Sequence, residues 1–216
     1  TEAFLQELQE DVDLLFLANP NNPVGNTIED VLLEKICDRC RGKKITVVID
    51  ECFLEFTRKR GFFETHSLQE YPNVIIVKAF TKLYAIPGVR LGFLFCGDQN
   101  RTEQILNQLP EWNISTIAEA AGLAALDETE YCNKTTSYIE KERAYLKAEL
   151  EKMEIKVYPG EADFLLLKTE HPLYEKLLKE KILIRDCGNY RGLSKGYYRI
   201  AVKTHKENEK LIATIL

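Results

Sequence analysis

The chain has 216 residues, of which 45% are hydrophobic and 29% charged, with a net charge of −5 and a pI near 5.4. That hydrophobic content is enough for a substantial core. The acidic balance argues against nucleic acid or an anionic membrane as the main partner, and no apolar stretch approaches the length that crosses a bilayer.

The first half of the chain alternates strand and helix patterns. Thr27 is a candidate N-cap for a helix over 28–40, whose apolar residues fall on one helical face. Pro87 and Gly88 predict a turn between the last two strands of this half. Strands are predicted at four apolar runs: 13–18, 44–49, 74–77 and 91–96.

The second half begins with helices and ends with mixed elements. Helices are predicted at 98–109, 115–126 and 135–152, the last being long and amphipathic. From residue 155 onward the predicted order is strand, strand 164–168, helix 172–180, strand 182–184, strand 197–202 and a terminal helix. We therefore predict a large domain over 1-130, and a small α+β domain with its connecting helix over 131-216.

The apolar strands indicate an α/β fold. Apolar strands without polar alternation, separated by helices, are typical of a mostly parallel sheet that is covered on both faces. Such sheets bind ligands at the carboxyl ends of their strands. Asn22, Asp50 and Lys82 each follow a predicted strand, so we expect them to face one crevice. A lysine in such a crevice would be partly desolvated, which favours the nucleophilic neutral amine.

Each of these side chains also has an ordinary alternative. A lysine after a strand is usually exposed, Asp50 could be an N-cap, and Asn22 could simply belong to a turn. Arg90 could be a surface arginine. Arg199 differs because it lies inside an apolar strand, where a charge needs a partner.

The six cysteines are scattered without a framework spacing, which predicts a reducing, cytoplasmic location. Cys37 and Cys40 form a C-x-x-C pair in a helical context, and no second Cys/His pair follows them. One interpretation is that these two cysteines are small residues that pack the helix against its neighbours, and the other is that they form a zinc or redox site. We favour packing.

Together and in this order, these residues resemble class I/II aminotransferases of the fold-type-I pyridoxal-phosphate enzymes. The matching stretches are LFLANPNNPVGNTI, VVIDECFLEF, VKAFTKLYAIPGVRLGF and YYRIAVKT. The resemblance covers essentially the whole chain, and the step from Lys82 to Arg90 is strongly diagnostic. It implies the latter part of a large, mostly parallel-sheet cofactor-binding domain, followed by a C-terminal α+β domain.

The resemblance implies roles for five residues toward pyridoxal 5′-phosphate. Lys82 is similar to the family's Schiff-base lysine, which also moves protons at the substrate Cα. Asp50 is similar to the aspartate that pairs with the pyridine nitrogen. That ion pair keeps the nitrogen protonated, so the ring can act as an electron sink. Asn22 matches the asparagine that hydrogen-bonds the ring 3-oxygen. Thr81 and Arg90 match ligands of the cofactor phosphate, the arginine through charge-assisted bidentate bonds.

Two branches that handle phosphorylated substrates are most similar to this chain. Stretches such as DECF and KILIRDCGNYRGL match threonine-phosphate decarboxylases more closely than histidinol-phosphate aminotransferases. The resemblance implies that Asn22, Arg185 and Arg199 bind the substrate. Arg199 would grip its carboxylate and Arg185 would help to hold its phosphate; a surface position is the alternative for Arg185. The implied activity is decarboxylation of L-threonine O-3-phosphate in cobalamin side-chain synthesis. Transamination of histidinol phosphate or another amino acid is the alternative.

Two positions depart from the family pattern, and the chain looks incomplete. Ala79 stands where many relatives have Ser, and Phe53 stands where aminotransferases usually have Tyr; each loses one hydrogen bond worth about 1 kcal/mol. Thr1 is not an initiator Met, so we expect the later part of a longer protein, which the resemblance implies is a homodimer. The preceding part supplies, in the family, a phosphate-binding glycine loop, a ring-stacking aromatic and a tyrosine for the neighbouring subunit. A cofactor-free, inactive piece is therefore a further alternative.

Overall fold

The computed structural model describes residues 2–9 and 11–216, and these form two compact units. One unit comprises the described residues up to Asn19 together with Ile28–Cys132. The other comprises Pro20–Thr27 and Asn133–Leu216. The division into domains 1-130 and 131-216 stays a prediction, and it does not anticipate that a short early segment belongs with the second unit.

The first unit is built on a four-stranded sheet with the order β1-β2-β3-β4. The β1–β2 and β2–β3 pairs are parallel, and the β3–β4 pair is antiparallel. All four predicted strands are present, and the mostly parallel α/β sheet is confirmed. The strands are β1 (Leu14–Ala18), β2 (Thr46–Asp50), β3 (Val74–Ala79) and β4 (Gly92–Cys96).

Helices flank these strands along the chain. They are α1 (Glu2–Glu7), α2 (Asp30–Gly42), α3 (Phe62–Thr65), α4 (Gln99–Leu106), α5 (Thr116–Leu126) and the start of α6 (Thr129–Lys152). Two short 3-10 segments lie at Leu54–Thr57 and Pro87–Val89. The sequence did not predict α1, α3 or the 3-10 segments, because none of them is long enough to show a helical period.

The predicted N-cap of α2 is wrong. The residue before α2 is Glu29, and Thr27 lies outside the helix in the second unit. The Thr27 hydroxyl donates instead to Oε1 of Glu161 at 2.9 Å. A charged acceptor offers a hydroxyl a stronger bond than a helix terminus does, so the Thr27 side chain is used within the second unit.

Cys37 and Cys40 lie in the core of the first unit, where α2 packs against the sheet. Both are fully buried, beside Ile36 and the β2 residues Val47 and Ile49. Burial raises the pKa of Cys37 to about 12 and that of Cys40 to about 11. Because the thiolate is the reactive and metal-binding form, these protonated thiols pack as small apolar groups. Within the described residues, no cluster of three His, Cys, Asp or Glu side chains is arranged to hold a metal.

The second unit contains an antiparallel sheet with the order β5-β6-β8-β7. Its strands are β5 (Lys156–Val157), β6 (Phe164–Lys168), β7 (Arg185–Asp186) and β8 (Tyr197–Ala201), and its helices are most of α6, α7 (Leu173–Lys179) and α8 (His205–Ile215). The strand predicted at 182–184 is wrong. Ile182 N–H donates to the Leu177 carbonyl at 2.9 Å, so these residues finish the end of α7 and the strand begins only at Arg185.

One face of this second sheet forms the core of its unit. Leu165, Leu167 and Ile200 point into a cluster with Leu146 of α6 and Leu211 of α8. Since side chains alternate along a strand, the intervening positions of β6 and β8 lie on the opposite face. None of the helices formed by the described residues is long and apolar enough to span a membrane.

Candidate active site

Lys82 lies in the segment that links β3 to β4. Phe80 and Leu83 are buried and anchor this segment, and the Phe80 N–H donates to the Leu91 carbonyl at 3.2 Å. Lys82 itself is exposed, so the partial burial expected for it is not found. Its Nζ lies 5.2 Å from the centre of the Phe53 ring, at cation–π distance. The Phe53 ring is therefore a direct neighbour of the lysine amine.

Asp50 is the last residue of β2, with Ala18 and Val77 as its neighbours on the flanking strands. Its Oδ1 accepts the N–H of Cys52 at 3.0 Å. It does not cap the 3-10 segment that follows, whose N-cap residue is Phe53. Among the described residues, no cation lies within ion-pair distance of the Asp50 carboxylate. The side chain is exposed, so a cationic ligand can reach it.

Cys52 follows Asp50 by two residues and is half-buried. Burial, the largest cause, together with the negative charge of Asp50 raises the pKa of its thiol to about 12, and the charge of Lys82 acts in the opposite direction. Sequence reasoning missed Cys52. The available signal was its position two residues after a strand-ending aspartate, where the carboxylate turns back onto the main chain.

Thr81 and Arg90 lie in the same unit as this cluster. Arg90 is exposed, with φ 58°, and its Nη1 donates to the Pro87 carbonyl at 2.9 Å. Thr81 is half-buried and directly precedes Lys82. Within the described parts of the chain, Arg90 has no carboxylate partner within 4.0 Å, so its charge remains available to an anion. Their role as phosphate ligands stays a prediction.

A buried ion cluster supports the segment after Asp50, and sequence reasoning missed it. Lys78 Nζ lies 2.8 Å from Glu55 Oε1 and 3.6 Å from Oε2 of the fully buried Glu51. Glu51 Oε1 also accepts the Phe62 N–H at 2.9 Å. Burial raises the pKa of Glu51 despite that bond and the Lys78 charge, whereas burial lowers the pKa of Lys78 but Glu55 and Glu51 raise it more. The alternation of β3 gave the available signal, because it places Lys78 on the face of buried Val74 and Ile76.

Arg199 and Asn22 meet in the second unit. Arg199 is half-buried on β8, with Cζ 5.0 Å from the centre of the Phe164 ring. Its Nη1 donates to Asn22 Oδ1 at 2.5 Å. The partner that a strand arginine requires is thus an amide from a distant part of the chain.

The segment Pro20–Thr27 is held against the second unit by main-chain contacts. The Gly25 N–H donates to the Asn21 carbonyl at 2.6 Å, and the Glu161 N–H donates to the Gly25 carbonyl at 2.7 Å. Gly25 has φ +87°, and a Cβ there would lie 3.3 Å from the Phe164 ring. Glycine is needed at this position for both its conformation and its close packing.

Arg185 lies directly opposite Arg199, on β7. Opposite residues of an antiparallel pair project on the same face, so the two guanidinium groups share the face away from the core. Arg185 Nη2 donates to Asn189 Oδ1 at 3.2 Å. In the described residues, neither arginine has a carboxylate within 4.0 Å. Facing like charges repel each other, so the pair favours binding of an anion.

The predicted site residues thus fall into two groups, one in each unit. Whether Asn22, Asp50 and Lys82 face one crevice stays a prediction, because Asn22 belongs to the other unit. The first group is Asp50, Thr81, Lys82 and Arg90, and the second is Asn22, Arg185 and Arg199.

Comparison with known proteins identifies the family. The model of the family "aminotransferase class I and II" matches residues 1–215. The chain is 37% identical over 220 residues to a threonine-phosphate decarboxylase of Salmonella typhimurium, which covers 100% of this chain and 60% of that protein. It is 38% identical over 207 residues to a histidinol-phosphate aminotransferase of Clostridium kluyveri, covering 94% of this chain and 56% of that protein.

The fold comparison agrees. The crystal structure of the histidinol-phosphate aminotransferase from Clostridium acetobutylicum superimposes with a TM-score of 0.93 and 33% identity, over 99% of this chain and 65% of that one. The chain therefore spans less than two thirds of each of these three proteins. Because the family model covers nearly the whole chain and the fold agrees, the chain belongs to the class I and II aminotransferase family.

Proposed function

We propose that this chain is the lysine-bearing part of a pyridoxal 5′-phosphate-dependent enzyme that acts on a phosphorylated amino acid. The observation that carries the proposal is that Asp50 ends β2 while Lys82 lies over the ring of Phe53, three residues after Asp50, in a chain of this family. A carboxylate and a primary amine held near each other at this edge of a parallel sheet are suited to a cationic, carbonyl-bearing cofactor.

The donors and acceptors of the first unit fit that cofactor. The exposed Asp50 carboxylate complements a protonated pyridine nitrogen, and the Lys82 amine reacts with a carbonyl carbon. The Arg90 guanidinium and the Thr81 hydroxyl are donors of the kind that hold a phosphate. Phe53 offers no phenol to the ring oxygen, and its ring contacts Lys82 instead. When bound, the cofactor supplies an electron sink for charge that develops at the substrate Cα.

The chain's own residues then supply positioning and proton transfer. Asp50 keeps the ring nitrogen protonated, and Lys82 holds or moves the proton at the substrate Cα. Asn22 would donate to the ring 3-oxygen through its amide nitrogen, as the family resemblance implies, because its Oδ1 already accepts from Arg199. Arg199 binds the substrate carboxylate with the guanidinium N–H groups that do not donate to Asn22.

The facing arginines support a substrate with two anionic groups. Arg199 and Arg185 are opposite each other on one face of the sheet, and a carboxylate and a phosphate would neutralise both. L-Threonine O-3-phosphate carries both groups, and the Salmonella typhimurium relative is named for its decarboxylation. We propose this decarboxylation, as in cobalamin side-chain synthesis, as the activity. Decarboxylation requires that the bond between Cα and the carboxylate be the one oriented for cleavage, and Arg185 and Arg199 are the residues that would set this orientation.

Transamination is the second candidate. The relatives from Clostridium kluyveri and Clostridium acetobutylicum are named histidinol-phosphate aminotransferases, and the latter superimposes with a TM-score of 0.93. Histidinol phosphate has a phosphate but no carboxylate, so it would use Arg185 without Arg199. A cytoplasmic homodimer is the proposed working form for either activity, supported by the family resemblance and by the cysteine pattern.

The test combines cofactor trapping with product analysis. Protein mixed with pyridoxal phosphate is reduced with borohydride and digested, and the peptide that carries the cofactor is identified. We expect label on Lys82, none in Lys82→Ala, and unchanged label in the control Lys35→Ala, which alters an exposed lysine on α2. An unlabelled wild-type chain would show that these residues alone do not bind the cofactor.

The same protein preparation is used to identify the substrate. Incubation with L-threonine O-3-phosphate should release CO₂. Incubation with histidinol phosphate and 2-oxoglutarate should yield no glutamate. Glutamate formation without CO₂ would replace the decarboxylase with the aminotransferase. Arg185→Ala should weaken binding of the phosphorylated substrate at least tenfold, since charge-assisted bonds are each worth about 1.5–3 kcal/mol.

A further inference from the structure

Arg143 lies on α6, and the function proposed above gives it no role. Its Nη1 donates to two consecutive carbonyl oxygens, that of Glu161 at 2.7 Å and that of Ala162 at 2.9 Å. The side chain is half-buried, and burial lowers the pKa of its guanidinium against the opposing charges of three nearby carboxylates. A charge in such a place is costly unless hydrogen bonds compensate for it. The guanidinium therefore has defined acceptors, and they belong to the turn between β5 and β6.

The turn between β5 and β6 is the surface on which Pro20–Thr27 rests. The Glu161 N–H donates to the Gly25 carbonyl at 2.7 Å. A Cβ added at Gly160 would lie 2.6 Å from a main-chain carbonyl oxygen of the segment, so the two stretches are in close contact. The residue that binds the segment through its N–H is thus also one whose carbonyl Arg143 binds.

Asn22 lies at the other end of these contacts. The segment closes on itself, because the Asn21 N–H donates to the Asn26 carbonyl at 2.8 Å and the Gly25 N–H donates to the Asn21 carbonyl at 2.6 Å. Asn22 lies inside this closed turn, and its Oδ1 accepts from Nη1 of Arg199. Hydrogen bonds and main chain therefore connect α6 to two side chains that the proposed function assigns to the substrate, and all of them lie within the second unit.

We propose that Arg143 is a positioning residue: by binding the turn between β5 and β6 it holds Pro20–Thr27 in place, and so keeps Asn22 in position to bind Arg199. The proposal rests on the proposed function, in which these two side chains recognise the substrate. Arg143 acts through main-chain carbonyls, so its loss should misplace Asn22 without removing any group that binds the ligand.

The first test needs neither cofactor nor substrate. Hydrogen–deuterium exchange is followed by peptide mass spectrometry in the wild type, in Arg143→Met and in the matched control Lys147→Met, which alters a half-exposed lysine one turn further along α6. We expect Arg143→Met to speed exchange at least fivefold in the peptides that cover 20–27 and 160–162, because local opening there becomes easier. Exchange in α8 and in the first unit should stay unchanged, and Lys147→Met should match the wild type throughout.

Two further variants examine the same contact. Arg143→Lys keeps a charged N–H donor, so these peptides should exchange more slowly than in Arg143→Met. Gly160→Ala pushes against the segment and should give the exchange pattern of Arg143→Met although Arg143 is intact. Wild-type exchange of 20–27 in Arg143→Met would overturn the proposal. A rate that rises equally across the whole second unit would also overturn it, since Arg143 would then support that unit in general rather than this segment.

The second test measures whether Arg143 acts through Asn22. Release of CO₂ from L-threonine O-3-phosphate is measured in the cofactor-loaded wild type, in Arg143→Met, in Asn22→Ala and in the double variant. We expect Arg143→Met to lower kcat/KM about fivefold, mainly by raising KM, and the double variant to lose no more than Asn22→Ala alone, because the two residues act on one contact. Two losses that multiply would contradict the positioning role.

Absence of CO₂ release in the wild type would instead contradict the proposed function. The exchange result would still decide the role of Arg143, because it depends on neither the cofactor nor the substrate.

Discussion

Arg199 and Gly25 show why the environment of a single residue is only partly visible in sequence. The position of Arg199 in an apolar strand correctly indicated that it needs a partner, but that partner is Asn22, at a separation of 177 residues. Local patterns carry no information about contacts at such separations. The requirement for glycine at position 25 depends in the same way on the ring of Phe164, which reaches it from the second unit's sheet.

Gly25→Ala should destabilise the second unit. The residue has φ +87°, and the added Cβ would meet the Phe164 ring at 3.3 Å. A non-glycine residue in a left-handed conformation costs about 1–3 kcal/mol. Urea unfolding measures the loss. Gly42→Ala is the matched control, because a Cβ at Gly42 meets nothing within 4 Å, and it should be neutral or stabilising. Equal stabilities for the two variants would contradict the prediction.

Glu142 on α6 predicts a pH dependence of stability. Its buried carboxylate lies 2.9 Å from Asn208 Nδ2 and 3.0 Å from His205 Nδ1. Burial raises its pKa, but these two bonds outweigh burial and hold the pKa below the ordinary value of 4.5. Because the folded-state pKa is depressed, the ionised form stabilises the fold above about pH 4.5. That contribution is lost as the pH falls through the folded-state pKa.

Glu142→Gln should therefore be less stable than the wild type at pH 7, by about 1.5–3 kcal/mol, the value of hydrogen bonds to a charged group. The difference should shrink when urea unfolding is repeated between pH 5 and pH 3.5. Glu151→Gln, on the same helix but half exposed, controls for the loss of a charge and should show little effect. A difference that is independent of pH would show that the carboxylate charge is not the cause.

At the scale of elements, long apolar runs were predictable and short or capped elements were not. The strand Phe164–Lys168 was predicted at its observed bounds, because an apolar run between polar residues leaves one interpretation. The strand at 182–184 was misplaced, because Ile182 completes the end of α7 through a bond that apolar patterning does not show. Likewise the position of Asp50 at a strand end was predictable, whereas its bond to Cys52 depends on the turn that follows.

The ion cluster that joins β3 to the segment after β2 yields an element-scale prediction. Lys78→Met leaves the fully buried Glu51 without its cation, which should destabilise the first unit by about 3–5 kcal/mol. The double variant Glu51→Gln/Lys78→Met removes both charges and should lose less than Lys78→Met alone. Guanidinium unfolding provides the measurement.

Lys35→Met is the matched control for this pair, because Lys35 is exposed on α2 and its loss should change the stability by less than about 0.5 kcal/mol. If Lys78→Met behaves like Lys35→Met, or if the double variant is the least stable of the set, the cluster does not stabilise the fold as described.

At the scale of the whole molecule, the apolar surface around α5 indicates an interface. Ile117, Leu123 and Leu126 are 78%, 64% and 61% exposed, although α5 is apolar on nearly all sides. Trp112, the chain's one tryptophan, precedes α5 and is 93% exposed. Large apolar side chains left exposed on and beside one helix are surfaces that protein–protein contacts commonly cover. The family resemblance implies a homodimer, so we expect a second copy of this chain to cover this surface.

Self-association should therefore bury Trp112. We expect its emission maximum to move to shorter wavelength as the protein concentration rises, together with dimer formation in sedimentation. Leu123→Asp should suppress both changes by at least tenfold in the association constant, because it places a charge in an apolar contact. Leu183→Asp, which alters a leucine that is 74% exposed in the second unit, should leave them unchanged. Monomeric wild-type protein at all concentrations would contradict this assignment.

The placement of Pro20–Thr27 with the second unit constrains how the gene can be recombined. A chimera made at a single junction near residue 132 would take the Arg199-bearing strands from one parent and Asn22 from the other. The 2.5 Å contact between these two side chains would then join residues that were not selected together. Shuffled libraries of this protein should therefore exchange Pro20–Thr27 and the C-terminal stretch as a linked pair, and single-junction hybrids should be the ones that lose substrate recognition first.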